Sequence, residues 1–193
     1  MSVVSGIVSA MDSTAQDHTW FYEEFPGLAQ AYCITLVRGL APAEVLRRLG
    51  AQDETSFVGV DGLSEMAIDG GATGQFVVAV TAVDGWALMV ESNGYIGIRH
   101  EFITPLSHGT RLVAHYRNVN AVGRFCWAEN EDIRLSFEPL FPRWREGSDP
   151  DALTDVMWEV GFVPDGDTEL PTQAAFALAH RLTAIRLTPA LLR

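Results

Sequence analysis

The chain has 193 residues, with 25 acidic side chains against 13 basic ones and a net charge of −12. Apolar residues make up 48%, enough for a sizeable core, which excludes a disordered chain. Such acidity also argues against general nucleic-acid binding and against docking on anionic membrane, both of which need a basic face.

In chain order, the first 19 residues are small and mildly apolar, without a basic leader, and read as a loose lead rather than a signal peptide. Trp20 to Phe25 is aromatic and acidic, and Pro26-Gly27 interrupts it. Ala31 to Leu40 (AYCITLVRGL) reads as a strand. Ala41 to Leu49 reads as a helix with Pro42 in its first turn and Gly50 as its C-terminal cap. Residues 51 to 74, polar and rich in glycine, read as a loop with weak regular character near Leu63 to Ile68. Gln75 to Val83 is apolar on both faces and reads as a central strand. Asp84-Gly85 is a hairpin turn leading into the strand Trp86 to Glu91. Asn93-Gly94 is a second such turn, with Tyr95 to Ile98 placed to pair back.

His100 to His108 reads as a short helix. Arg111 to Arg117 alternates, with Leu112, Ala114 and Tyr116 on one face and Arg111, Val113, His115 and Arg117 on the other. Arg124 to Glu129 and Ile133 to Phe137 form a hairpin around an acidic turn, with one solvated face. Asp149-Pro150 starts a helix whose apolar stripe is Leu153, Val156, Met157 and Val160, ending at Gly161. After an acidic linker comes an Ala-rich helix over 172 to 186, striped by Ala175, Leu178, Ala179, Leu182 and Ile185. Thr188-Pro189 opens a last turn. A strand–helix unit, a run of antiparallel hairpins and two C-terminal helices on one face make an α+β domain over residues 20 to 193.

Chemical motifs are sparse. All the basic residues are arginine, which removes P-loop and Schiff-base chemistry. Asp69 to Gly74 is a Gly-rich stretch, but it precedes a strand instead of opening a helix, as a phosphate loop should. There is no HExxH, CxxC or GxSxG, and His100, His108 and His115 match no metal-ligand spacing, so no metal or cofactor is expected. Cys33 and Cys126 sit in apolar segments and read as free thiols in a reducing cytoplasm. A Cys/His pair, such as Cys126 with His115 on neighbouring strands, is a nucleophile arrangement the sequence leaves open.

Charge is segregated along the chain. Arg99 to Arg145 holds seven arginines against five acids, whereas Glu146 to Glu169 holds eight acids and no base. Two readings of the strand arginines follow: they pair with the protein's own acids, or they face an acidic ligand. The ligand reading places a site at His115, Arg117, Asn118, Asn120, Arg124 and Glu138. The aromatic–acidic segment Trp20, Tyr22, Glu23 and Glu24 is a candidate partner contact.

The chain resembles a domain-of-unknown-function family of actinobacteria over roughly residues 20 to 193. The resemblance is carried by Ala31 to Leu40, Val45 to Gly50, Gly85 to Glu91 with Asn93-Gly94, Asn118 to Ala121, Arg124-Phe125, Phe137 to Pro139, Gly161-Phe162, Ala177 to Thr183 and Leu187 to Pro189. It implies a single domain and brings no activity or site residue with it. The leading expectation is a cytoplasmic interaction module whose acidic surface meets a basic protein partner. The alternatives are a small-ligand domain or enzyme on the Arg/His/Asn strand face and, further off, a nucleic-acid mimic.

Overall fold

The structure, a computed structural model, describes residues 12–51, 58–73, 76–163 and 165–193. Among the described residues seven strands form one antiparallel sheet: β1 (Tyr32–Arg38), β2 (Ala79–Val83), β3 (Trp86–Ser92), β4 (Arg111–Arg117), β5 (Gly123–Glu129), β6 (Asp132–Phe137) and β7 (Arg145–Glu146). Their order across the sheet is β2-β3-β1-β4-β5-β6-β7. The helices are α1 (Trp20–Glu24), α2 (Pro42–Leu49), α3 (Gly59–Thr73), α4 (His100–Ser107), α5 (Thr154–Val160), α6 (Pro171–Thr183) and α7 (Pro189–Leu192).

The fold is α+β, and both faces of the sheet are covered. One face sends Ile34, Leu88, Val113, Phe125, Leu135 and Phe137 into clusters with residues of α1, α3, α5, α6 and α7. The other sends Val37, Met89, Leu112, Ala114 and Cys126 against Val45 of α2 and Ile103 and Leu106 of α4. The two C-terminal helices share a face as the sequence implied, and α2 with α4 supply a third layer.

Local chemistry explains most boundaries. Asp84 (φ 42°) and Gly85 (φ 81°) turn β2 into β3 in the left-handed geometry that a two-residue hairpin requires. Gly50 (φ 70°) and Gly161 (φ 110°) cap α2 and α5. Ala184 (φ 59°) ends α6 at Thr183, three residues before the expected limit, and the Thr183 hydroxyl bonds back to the Ala179 carbonyl.

Several expectations are corrected. Within residues 51–74 the chain forms α3, where Val60 and Leu63 are buried in the core; residues 52–57 and 74–75 lie outside the described residues. β2 is an edge strand, and it is apolar on both sides because both layers reach it. Ile96–Ile98 is a 3-10 turn, not a returning strand, because the buried Glu91 carboxylate accepts the N–H groups of Ile96 and Gly97 at 2.8 and 3.1 Å. Asp149 does not cap α5: its carboxylate is bound by Arg134, residues 149–154 form turns, and the helix starts at Thr154. The packed chain begins ahead of Trp20, since Ser13, Ala15 and His18 are buried; residues 1–11 lie outside the described residues.

Candidate functional site

The strand face around β4 divides the predicted ligand residues among different surroundings. Residues directly opposite in an antiparallel pair share a face. His115 faces Phe125, while Arg124 lies opposite Tyr116 on the other side of the sheet. His115 is 3% exposed, and its Nδ1 lies 3.1 Å from the Tyr32 hydroxyl. Burial first, and the nearby Arg117 charge second, lower its pKa to about 3, so the ring is neutral. The face of β4 on which the ligand reading placed His115 is roofed by α6, whose Phe176 ring lies 5.1 Å from the His115 ring.

The half-exposed Tyr22 donates to Thr172 Oγ1 at 3.0 Å. Burial raises the Tyr32 phenol well above its ordinary value, with the Arg117 charge opposing it. Two small cavities border His115. One, of about 20 Å³, is lined by apolar groups such as Ile34, Leu36, Phe176 and Ile185. The other, of about 10 Å³, is lined by Arg117, Gly123, Glu138 and Thr172. Each is roughly the size of a single water, so His115 has no room for a larger ligand.

The remaining predicted residues mostly hold structure. Asn118 Oδ1 accepts the N–H groups of Asn120 and Val122 at 3.0 and 3.1 Å and so builds the β4–β5 turn, with Asn120 exposed at its tip. Glu138 accepts the Gly123 N–H at 2.8 Å, and its partial burial raises its pKa. Arg124 donates to Ser136 Oγ at 3.0 Å. Arg117 alone keeps an open claim: its Nε is buried without a hydrogen-bond partner among the described residues.

Most of the arginines are spoken for internally. Arg111 pairs with Glu129, Arg134 with Asp149 and Arg145 with Asp151. Arg181 reaches Glu159, Arg186 reaches Asp17, and Arg193 pairs with Glu24. Arg111 and Arg134 also flank the Trp127 ring at 5.8 and 5.7 Å. For these residues the intramolecular reading of the charge segregation holds.

The nucleophile arrangement is absent. Cys126 lies opposite Ala114 and points away from His115, into the layer of α2 and α4. Burial pushes its thiol up to about 12, and Cys33 is pushed up as well, first by burial and then by the Glu91 charge. Both cysteines are free. His100 bonds within α4, His108 contacts Glu131, and His115 is in the core, so the three histidines are dispersed. Among the described residues no three His, Cys, Asp or Glu side chains gather as a metal would need. No described helix is long and apolar enough to cross a membrane.

The N-terminal contact candidate is partly internal. Trp20 packs on the core, and of the exposed Tyr22, Glu23 and Glu24, Tyr22 is tied to Thr172 and Glu24 to Arg193. A more open aromatic–acidic face lies on α5. There Asp155, Trp158 and Glu159 are all exposed, with Trp158 at 50%, while Met157 and Val160 are buried on the inner side. The i, i+3, i+4 spacing puts those three on one outward stripe. Trp158 was detectable in the sequence as the large aromatic that falls off the helix's apolar stripe.

The chain matches no curated protein and no solved structure. Residues 11–193 match a family described as of unknown function, DUF6461, and the chain belongs to that family.

Proposed function

We propose that the protein is a cytoplasmic interaction module that docks a basic partner protein on an acidic face centred on α5. The observation that carries this reading is the outward stripe of Asp155, Trp158 and Glu159. An exposed indole beside a carboxylate suits a lysine or arginine: the ring offers a cation–π face and Asp155 offers an ion pair. The surrounding segment strengthens the field. Of its eight acids, Asp149, Asp151 and Glu159 pair with arginines, while Glu146, Asp155, Asp165, Asp167 and Glu169 remain exposed without an ion pair among the described residues. The buried free thiols suit a reducing compartment.

Affinity capture from the native host at low and high salt tests this. The captured partner should be basic, should weaken as salt rises, and should be lost with a Trp158→Ala, Asp155→Arg variant that still folds. A buried Trp anchor is typically worth about 2 kcal/mol or more, roughly thirtyfold in affinity. Capture that is unchanged in the variant overturns the assignment.

A second reading, a small-ligand site at the end of β4, is favoured by one observation: Arg117 Nε is buried without a hydrogen-bond partner among the described residues. Arg117→Ala with Asn120→Ala would abolish such binding and leave the melting temperature unchanged. A loss of stability instead makes these residues structural.

A further inference from the structure

The two edges of the sheet are built differently. β7 is two residues long, and both, Arg145 and Glu146, are charged. Short, charged edges resist pairing with another chain. β2 has none of these protections. From Phe76 to Val83 the chain carries no charge and no proline, and the β2–β3 register runs unbroken from Ala79↔Val90 to Val83↔Trp86. In a chain of net charge −12, this edge is a neutral stretch.

The hairpin also fixes which backbone groups face outward. A two-residue turn makes Val83 and Trp86 the hydrogen-bonded pair. By alternation Thr81 and Ala79 also bond inward to β3, and the N–H and C=O of Val80 and Ala82 point away from the sheet. No described strand pairs with them. Thr81 and Ala82 are exposed.

We propose that β2 pairs antiparallel with β2 of a second copy, about a two-fold axis through Thr81. Val80 of one copy then lies opposite Ala82 of the other. Each such pair exchanges two N–H···O=C bonds, so the two-fold gives four in all. The two Thr81 side chains meet across the axis on one face. Self-pairing fits this edge because an antiparallel pair of identical strands is self-complementary and because the −12 charge is kept off the strand. The contact is short, so it is a weak, concentration-dependent dimer that extends the sheet from one copy into the next.

Sedimentation equilibrium on the full chain tests this directly. The weight-average mass should climb from 21.1 kDa toward twice that value as concentration rises from about 5 to about 500 μM, the range for a small interface. Thr81→Lys and Thr81→Glu should each hold the protein monomeric with unchanged circular dichroism, since like charges then meet at the axis. Mixing the two variants should restore association, because the opposite charges now face each other. Hydrogen exchange should show the Val80 and Ala82 amides slowing as concentration rises, with Thr81 and Val83 protected throughout. A chain that stays monomeric, or a dimer indifferent to Thr81→Lys, overturns the proposal. So does protection of Val80 and Ala82 that survives dilution, since it means the chain covers its own edge.

Discussion

The buried His115 should make the fold acid-sensitive in a way that one substitution removes. An unfolded imidazole has a pKa near 6.5, whereas burial and Arg117 hold the folded one at about 3. The folded value is depressed, so the unfolded chain binds the proton more readily. Stability is therefore intact above pH 6.5 and falls as pH drops below it. Each pH unit in that window costs about 1.4 kcal/mol per site, so from pH 6.5 to 4.5 His115 alone costs about 2–3 kcal/mol. With a guanidinium m-value of about 5 kcal/mol/M, the midpoint moves by roughly 0.5 M. His115→Gln keeps an acceptor for the Tyr32 hydroxyl and cannot take up the proton. Guanidinium titrations of both proteins at pH 7 and pH 4.5 isolate the residue, because His18, His180 and all the carboxylates are common to both. The wild type should lose about 2–3 kcal/mol more than the variant on acidification. Equal losses, or an NMR titration that places His115 near 6.5, refute the reasoning.

Glu91 should act in the opposite direction. Burial lifts its pKa to about 7 against the pull of the Ile96 and Gly97 N–H groups, so its contribution is present below pH 4.5 and is lost as pH rises through 7. Thermal melts of Glu91→Gln between pH 5 and 8 should therefore lack an alkaline decline of about 2–3 kcal/mol seen in the wild type. Gly97→Ala would put a methyl 2.0 Å from Thr35 Oγ1 and 2.9 Å from Cys33 Sγ, at a cost of about 3 kcal/mol that Thr35→Ala should partly relieve in a denaturant assay. Ala184→Gly should stabilise by about 1 kcal/mol in the same assay, since the residue sits at φ 59°. Cys33 and Cys126, buried and with raised thiol pKa values, should be inert to a thiol reagent in the native protein and react fully in denaturant.

The hairpins were legible because a two-residue turn has few chemical solutions: Asp84-Gly85 announces itself, and the strand period on either side follows. α3 was not legible because Gly62, Gly70 and Gly71 lower helix propensity, and what makes the segment helical is burial of Val60 and Leu63, a tertiary cause. β2 reads as central because its apolar period reports coverage of both faces. It carries no information on which strands lie beside it, and strand order alone makes it an edge.

The candidate site shows the same limit. Alternation along β4 correctly put His115 and Arg117 on one face and Tyr116 on the other, but a polar residue on a strand face can be solvated or roofed. The deciding fact lies in the structure of α6: residues 172–178 are buried without a break, so that stretch is enclosed on all sides. A helix apolar nearly all round is a core helix, and its ceiling fell on His115. The arginines followed a similar logic. Those near the ends and outer faces of strands found acids on neighbouring turns and helices, as Arg134 did Asp149 and Arg145 did Asp151. With those acids paired, Asp155 on the outer stripe of α5 and Asp165, Asp167 and Glu169 in the loop after it are left as an acidic stretch without ion pairs among the described residues, which is the ground for proposing a basic partner there.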